Sequence, residues 1–132
     1  MDCIFCKIVA GAVPAEKVYE DEHNLAFLDI HPHEKGHTLV IPKSHYTWVW
    51  DVEDIGSLYK AVKIVANAQK KAFATELVVS LVFGKNVPHA HVQLIPAKDT
   101  PEEPTSVDML LHRISYADGE MYACAEKIRK FL

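Results

Sequence analysis

The sequence predicts an α+β fold: an antiparallel sheet of about five strands, with one long helix packed on it and a C-terminal helix. Short segments rich in β-branched and aromatic residues alternate with Pro, Gly or polar breaks. One longer segment between the third and fourth of them repeats its apolar residues at helical spacing. The length of 132 residues suits one ordinary domain, which we expect to span residues 1–132.

The first three strands are predicted in the N-terminal third of the chain. The first two flank the polar break 22–24, which is typical of a hairpin turn. Gly36 closes a loop before the third strand, and Pro42 ends that strand because proline lacks a backbone donor. The predicted ranges are 17–21, 25–30 and 37–41.

A long amphipathic helix is predicted from Asp51 onward. Apolar residues between Ile55 and Phe73 recur at helical spacing, and lysines fall mainly on the opposite side. Asp51 is the expected N-cap, followed by acidic residues that the helix dipole favours. Solvation is the simplest role for the lysine face.

Two further strands are predicted at 77–83 and 89–95, the second ending at Pro96. The stretch 97–107 has too few apolar residues for an element of its own, so it should form an exposed loop. Apolar residues then repeat at helical spacing to the C-terminus, and they predict the last helix.

Candidate caps for that last helix are Ser115 and Asp118. Cys124 falls on its apolar side and is therefore predicted to be a core residue.

Composition limits the classes of partner and compartment. Lys and Arg number 14 against 18 Asp and Glu, a net charge of −4, which argues against a broad electrostatic contact with nucleic acid. No apolar run reaches the roughly 18 residues that span a bilayer, and the N-terminus does not resemble a secretion leader. The 3 cysteines do not suit a disulfide framework. We therefore expect a cytoplasmic protein that binds neither nucleic acid nor membrane.

Histidine is abundant, at 8 of 132 residues, and part of this supply is patterned. His89, His91 and Gln93 alternate with small and apolar residues along the predicted fifth strand. Alternate side chains of a strand share a face, so these three can serve one site or two adjacent sites. A polar, solvated face on an edge strand is the alternative.

The run VPHAHVQLIP at residues 87–96 resembles the signature of the histidine-triad (HIT) superfamily of nucleotide hydrolases and transferases. The usual form of that signature is His-x-His-x-His followed by two apolar residues. Earlier blocks resemble the superfamily in order, so the similarity covers most of residues 3–96. They are CIFCKI at 3–8, VYED at 18–21, AFLDI at 26–30 and GHTLVIPKSH at 36–45. The resemblance implies a HIT-like fold and a homodimer in which the sheets adjoin.

The resemblance also implies a covalent mechanism. The middle histidine, here His91, would attack the α-phosphorus of a nucleotide and form a nucleotidyl-histidine that water or another acceptor resolves. His37 would help to position the phosphate, and Asp29 would accept hydrogen bonds from ribose hydroxyls. For Asp29 a strand-end cap or turn role is the alternative. The implied substrate is a nucleoside phosphoramidate or a dinucleoside polyphosphate.

Gln93 departs from the family pattern, because its amide can steady phosphate oxygens but cannot titrate as histidine does. His-x-His-x-Gln is the form seen in the superfamily's transferase and phosphorylase branches, so nucleotidyl transfer stands beside hydrolysis. The compact loop at 80–86 is a second departure, in which Lys85 or Asn86 would contact phosphate or be ordinary turn residues. Both departures also admit a nucleotide-binding adaptor with little turnover.

Cys3 and Cys6 have the short spacing that places two thiolates on one ion. With His45 and His89 they would complete a Cys₂His₂ zinc site, an arrangement similar to that of several bacterial HIT proteins. The zinc would be structural, because four protein ligands leave no open position. A reduced pair or buried thiols are the alternatives, and a thioredoxin-like role is disfavoured because no strand precedes the pair.

The remaining histidines are less informative. His23, His31 and His33 are expected to be exposed, with contact to a nucleobase or phosphate as the alternative, and His112 has no assigned role.

Overall fold

The computed structural model describes residues 2–132. In that range it contains a five-stranded antiparallel sheet with the strand order β1-β2-β3-β5-β4, which confirms the predicted fold class. The strands are β1 Lys17–Glu20, β2 Asn24–Leu28, β3 Thr38–Pro42, β4 Leu77–Leu81 and β5 Val92–Ala97.

The helices are α1 Ile4–Val9, α2 Ile55–Ala72 and α3 Glu120–Arg129, with 3₁₀ turns at Val49–Asp51 and Val107–Leu111. The long helix and the C-terminal helix were predicted, whereas α1 was not. With only 6 residues, α1 is too short to show a helical period. Its first turn is capped by the Cys3 sulfur, which accepts from the Cys6 N–H at 3.4 Å.

The predicted N-caps are wrong for both longer helices. The carboxylate of Asp54 caps α2 by accepting from the Ser57 N–H at 3.0 Å, whereas Asp51 belongs to the preceding 3₁₀ turn. The sequence could not show which aspartate is the N-cap, because Asp51 and Asp54 both precede the apolar repeat. At α3 the N-cap is Gly119, with φ of 77°, rather than Ser115 or Asp118.

β4 ends at Leu81, earlier than predicted, and the chain then turns into the loop that carries Gly84 at φ of 71°. β5 begins after His91 and continues through Pro96 to Ala97. Proline is tolerated there because β3 pairs only with residues 92–94, so the outer part of β5 has a single neighbour. Residues 98–106 form a loop with no buried residue, as predicted.

The sheet is covered on both faces, which explains why every residue of β2, β3 and β5 is buried. One face packs with α2 and α3 through side chains such as Leu28, Val40 and Leu58, and this cluster includes the predicted core residue Cys124. The opposite face packs with α1 through Phe5 and the alternating residues of β2 and β3.

Gln69 connects α2 to the strands that carry the candidate site. Its fully buried amide nitrogen lies 2.9 Å from the Gly36 carbonyl oxygen and 3.1 Å from that of Leu94. Gly36 directly precedes His37, and Leu94 directly follows Gln93. Gln69 of α2 therefore holds the backbone beside both of these residues. Within residues 2–132 no helix combines the length and the apolar character needed to cross a membrane.

Candidate functional site

Four predicted metal ligands converge in space. Cys3 is the N-cap of α1, Cys6 lies within α1, His45 follows β3, and His89 precedes β5. One ligand atom of each residue lies within 4.8 Å of those of the other three. The Cys3 sulfur is 3.4 Å from His89 Nδ1, and the Cys6 sulfur is 3.3 Å from His45 Nδ1. The structure therefore brings together residues that are far apart in the chain.

The protonation of His89 suits a metal ligand. Its Nε2 lies 2.8 Å from the Pro42 carbonyl oxygen, which can only accept, so Nε2 carries the hydrogen and Nδ1 holds the lone pair beside the two sulfurs. Burial lowers the pKa of His89 and favours this neutral form. Burial and the neighbouring Cys3 sulfur raise the pKa of the Cys6 thiol, so two thiolates here require a cation. Two sulfurs and two imidazoles are a donor set that fits zinc.

A cavity of about 620 Å³ lies beside this cluster. One wall is apolar and is formed by α1, the segment after it and the inner strands. The rest of the lining supplies charged and polar groups, with Asp29, Lys85, Asn86, His91, Gln93 and Arg113 among them. An apolar slot with a few polar groups is the usual form of a small-molecule site.

His91 is only 7% exposed, and its ring lines the cavity. Its Nδ1 donates to the backbone carbonyl of His89 at 2.7 Å, so the neutral ring has its lone pair on Nε2. The Phe5 ring packs edge-on against the His91 ring, with centroids 5.3 Å apart and planes at 88°. Phe5 lies between Cys3 and Cys6 in the chain, so the metal cluster and His91 are joined through α1.

His37 and Gln93 form a buried pair. The Nδ1 of His37 accepts from the His33 N–H at 3.1 Å, so its Nε2 carries the hydrogen and donates to Gln93 Oε1 at 2.9 Å. Burial lowers the pKa of His37 to about 4, against a smaller opposing effect of Asp29. His37 is fully buried and does not line the cavity, whereas Gln93 does. His37 is therefore connected to the cavity through its hydrogen bond to Gln93.

Asp29 follows β2 and stands at the mouth of the cavity with 18% of its side chain exposed. Its Oδ1 accepts from the His31 N–H at 2.9 Å, and its Oδ2 lies 3.4 Å from an Arg113 nitrogen. Lys85 and Asn86 are exposed residues of the loop after β4, and both line the cavity. All three are therefore accessible to a molecule in the cavity.

Two residues of the site were not found from the sequence. Arg113 sits in a segment with no periodic pattern, and nothing in its neighbours indicates a cavity. Phe5 belongs to a helix too short to recognise. His23 and His31 are exposed as expected, but that expectation is wrong for His33, which is half-buried and stacks on His37 with centroids 5.4 Å apart.

Comparison with known proteins gives the same picture of fold and motif. An uncharacterized HIT-like protein of Methanocaldococcus jannaschii is 47% identical over 100 residues, which are 71% of this chain and 78% of that protein. An adenosine 5′-monophosphoramidase of Saccharomyces cerevisiae is 38% identical over 104 residues, covering 74% of this chain and 63% of that enzyme.

Among solved structures, a zinc-bound histidine-triad family protein from Mycobacterium smegmatis superposes with a TM-score of 0.78 at 29% identity, covering 98% of this chain and 92% of that one. The family profile of the HIT domain matches residues 10–100, a span that includes Asp29, His37, His91 and Gln93. Since that match takes in well over half of the sequence, the chain belongs to the HIT domain family.

Proposed function

We propose that the protein is a nucleotide phosphohydrolase or nucleotidyltransferase that attacks the α-phosphorus of a nucleoside phosphoramidate or dinucleoside polyphosphate with His91. The observation that carries this proposal is the hydrogen bond from His91 Nδ1 to the His89 carbonyl. In the neutral ring this bond places the lone pair on Nε2, where it can act as a nucleophile in the cavity that His91 lines. The name of the yeast relative, a monophosphoramidase, supports the phosphoramidate class.

In the first step, His91 Nε2 forms a bond to the α-phosphorus while the bond to the leaving amine or phosphate breaks. The ring becomes an imidazolium whose positive charge is stabilised by the His89 carbonyl at Nδ1. In the second step, water or another acceptor attacks the phosphorus, the nitrogen–phosphorus bond breaks, and neutral His91 is restored. The proton of the attacking water passes to solvent or to the departed group.

Gln93 would act on the phosphate rather than on the proton. Because His37 occupies its Oε1, the Gln93 amide nitrogen keeps both hydrogens for the non-bridging oxygens of the α-phosphate. An amide cannot protonate the leaving group, so that proton would come from water or from the substrate itself. Lys85 and Asn86 would contact the remaining phosphate oxygens, and Asp29 would accept from the ribose hydroxyls.

Cys3, Cys6, His45 and His89 would hold the zinc. When bound, it supplies structural cross-linking rather than Lewis-acid chemistry, because four protein ligands complete its coordination. His89 would then belong to the metal site while its carbonyl orients His91.

Intact-mass analysis of the zinc-loaded protein, quenched shortly after mixing with an adenylated substrate, tests the proposal. We expect an added nucleotidyl mass that is absent from His91→Ala, together with loss of turnover in that variant. Full activity in His91→Ala, or active protein with no adduct, would contradict it. Repeating the assay with phosphate supplied or withheld separates hydrolysis from transfer.

A nucleotide-binding adaptor is the second candidate, favoured by the non-titrating amide of Gln93 in the cavity. Tight binding of nucleoside monophosphates without turnover across a panel of substrates would support it over the enzyme.

We further propose a homodimer. β4 is an edge strand whose residues are half-buried or exposed, so its free edge can pair with a second copy. Light scattering after size exclusion should give about twice the 14.8 kDa mass of the chain.

A further inference from the structure

Beyond the residues that match the HIT domain, the chain returns to the candidate site. Residues 112–116, here the C-terminal strap, pack on the loop 31–36 that joins Asp29 to His37. Among the hydrogen bonds that attach the strap to this loop, the Ile114 N–H donates to the Pro32 carbonyl at 2.8 Å, His33 Nδ1 to the His112 carbonyl at 2.6 Å, and the Gly36 N–H to the Tyr116 hydroxyl at 3.0 Å. Anchors on both sides of Arg113 fix the backbone from which its side chain extends.

Arg113 extends from the strap to the mouth of the cavity. One guanidinium nitrogen, Nη1, lies 2.6 Å from the His31 carbonyl oxygen and 3.4 Å from Asp29 Oδ2. The side chain of Arg113 is 47% exposed and that of Asp29 is 18% exposed. The pair thus lies at the cavity rim, where a ligand can reach both side chains. The carboxylate of Asp29 is also partly shielded from water, which strengthens its interaction with Arg113.

The two contacts hold Asp29 on both oxygens. The backbone N–H of His31 donates to Oδ1, and Arg113 approaches Oδ2 while also binding the carbonyl of the same His31. Each carboxylate oxygen has two lone pairs, so one on each remains for a further donor. The rotation of the carboxylate is therefore fixed while both oxygens stay able to accept.

We propose that Arg113 is a positioning residue that orients the Asp29 carboxylate to receive both hydroxyls of a nucleotide ribose. This inference rests on the proposed function, in which Asp29 binds the ribose. It adds a residue outside the span that matches the HIT domain and gives the C-terminal strap a role in selecting ribonucleotides.

Calorimetric titration of the full zinc-loaded chain with AMP and with 2′,3′-dideoxy-AMP tests the inference. The wild type should bind AMP more tightly than the dideoxy compound. In Arg113→Ala that preference should fall by about two- to fivefold, the scale of a partly exposed charged contact. The affinity for dideoxy-AMP should stay unchanged, because that ligand has no hydroxyls for Asp29.

In turnover assays, Arg113→Ala should raise KM by the same factor and leave kcat within about twofold, as expected for lost ground-state binding. Arg113→Lys keeps a cation for Asp29 and should recover part of the preference. Lys98→Ala is the matched control, since it removes one positive charge from an exposed ion pair in the loop after β5 without touching the cavity. That control should match the wild type in both titrations.

Equal loss of affinity for both ligands would overturn the inference and assign Arg113 to the phosphate instead. An unchanged preference in Arg113→Ala would overturn it as well. If the wild type binds both ligands but shows no preference, the ribose role of Asp29 fails and the inference fails with it. If the wild type binds neither nucleotide and forms no adduct, the proposed function itself is wrong. Melting temperatures of the variants separate all these outcomes from unfolding.

Discussion

The Nε2–H of His37 donates to Oε1 of Gln93 across 2.9 Å. The direction of this bond is set by His33, whose N–H occupies the other ring nitrogen of His37. Gln93 therefore has a fixed rotamer, with its amide nitrogen free of His37. A residue that cannot titrate is in this way turned into an oriented hydrogen-bond donor.

Gln93→Glu isolates that donor. A glutamate keeps an oxygen for His37 but replaces the amide nitrogen with an anionic oxygen that repels phosphate. We expect kcat to fall by about a hundredfold, the usual effect of losing one donor to a developing charge. Steady-state kinetics with an adenylated substrate measure it.

Gln93→His provides the comparison, because it restores the usual family pattern and a proton donor. It should turn over faster than Gln93→Glu. Wild-type turnover in Gln93→Glu would mean that the amide nitrogen does not touch the phosphate and that Gln93 only holds His37.

Removal of the metal should impair both stability and turnover. Cys3→Ser/Cys6→Ser should lose about one zinc per chain in elemental analysis and melt about 10 °C or more below the wild type, because metal binding is part of the folding free energy. Turnover should fall because α1 carries Phe5, which packs on the His91 ring.

Cys124→Ala is the matched control, since it removes a thiol that is buried in the core away from the cluster. It should retain zinc. Well-folded wild type that contains no metal when purified without added metal would refute the zinc site.

The fold was predictable for elements long enough to show a regular spacing of apolar residues. The five strands and the long helix follow from the spacing of apolar residues, and the motif around His91 identifies the nucleophile candidate by resemblance. Helix ends were less predictable, because Asp51 and Asp54 are chemically equal and only tertiary packing selects the cap.

The site was predictable only in part, for a different reason. Phe5 and Arg113 contact site residues about 84 to 86 positions away in the chain, and no local pattern encodes such a contact. The burial of His37 likewise depends on contacts that its neighbours in sequence do not reveal, such as the stacked His33 ring and the Gln93 amide. Roles that depend on burial or on distant contacts require the three-dimensional arrangement.

Gly36→Ala should destabilise the protein strongly. Gly36 has φ of +87°, and a Cβ added there would lie 2.4 Å from the Phe73 ring. Strain and overlap together should cost about 3 kcal/mol or more of unfolding free energy in urea titrations.

Gly11→Ala is the control for backbone strain alone, with φ of +79° and no atom within 4 Å of the added Cβ. It should cost about 1 kcal/mol. Equal losses in the two variants would show that Phe73 moves aside and that the close contact carries no energy.

Stability should decline in mildly acidic solution because of His37. Its pKa is 6.5 in the unfolded chain and about 4 in the fold, where burial disfavours the charged ring. The unfolded state therefore binds a proton between these values while the native state does not. The contribution of His37 is fully present above pH 6.5, declines as the pH falls toward 4, and is constant below that. Its full size is on the order of 3 kcal/mol.

Urea titrations from pH 7.5 to 4.5 measure this effect as a difference between proteins. His37→Asn removes the titrating ring, so its free energy of unfolding should fall less steeply below pH 6.5 than that of the wild type. His23→Asn removes an exposed histidine and should keep the wild-type slope. Zinc release at low pH affects all three proteins and cancels in the comparison. Parallel pH profiles for wild type and His37→Asn would mean that the buried His37 ring takes up its proton without unfolding the site.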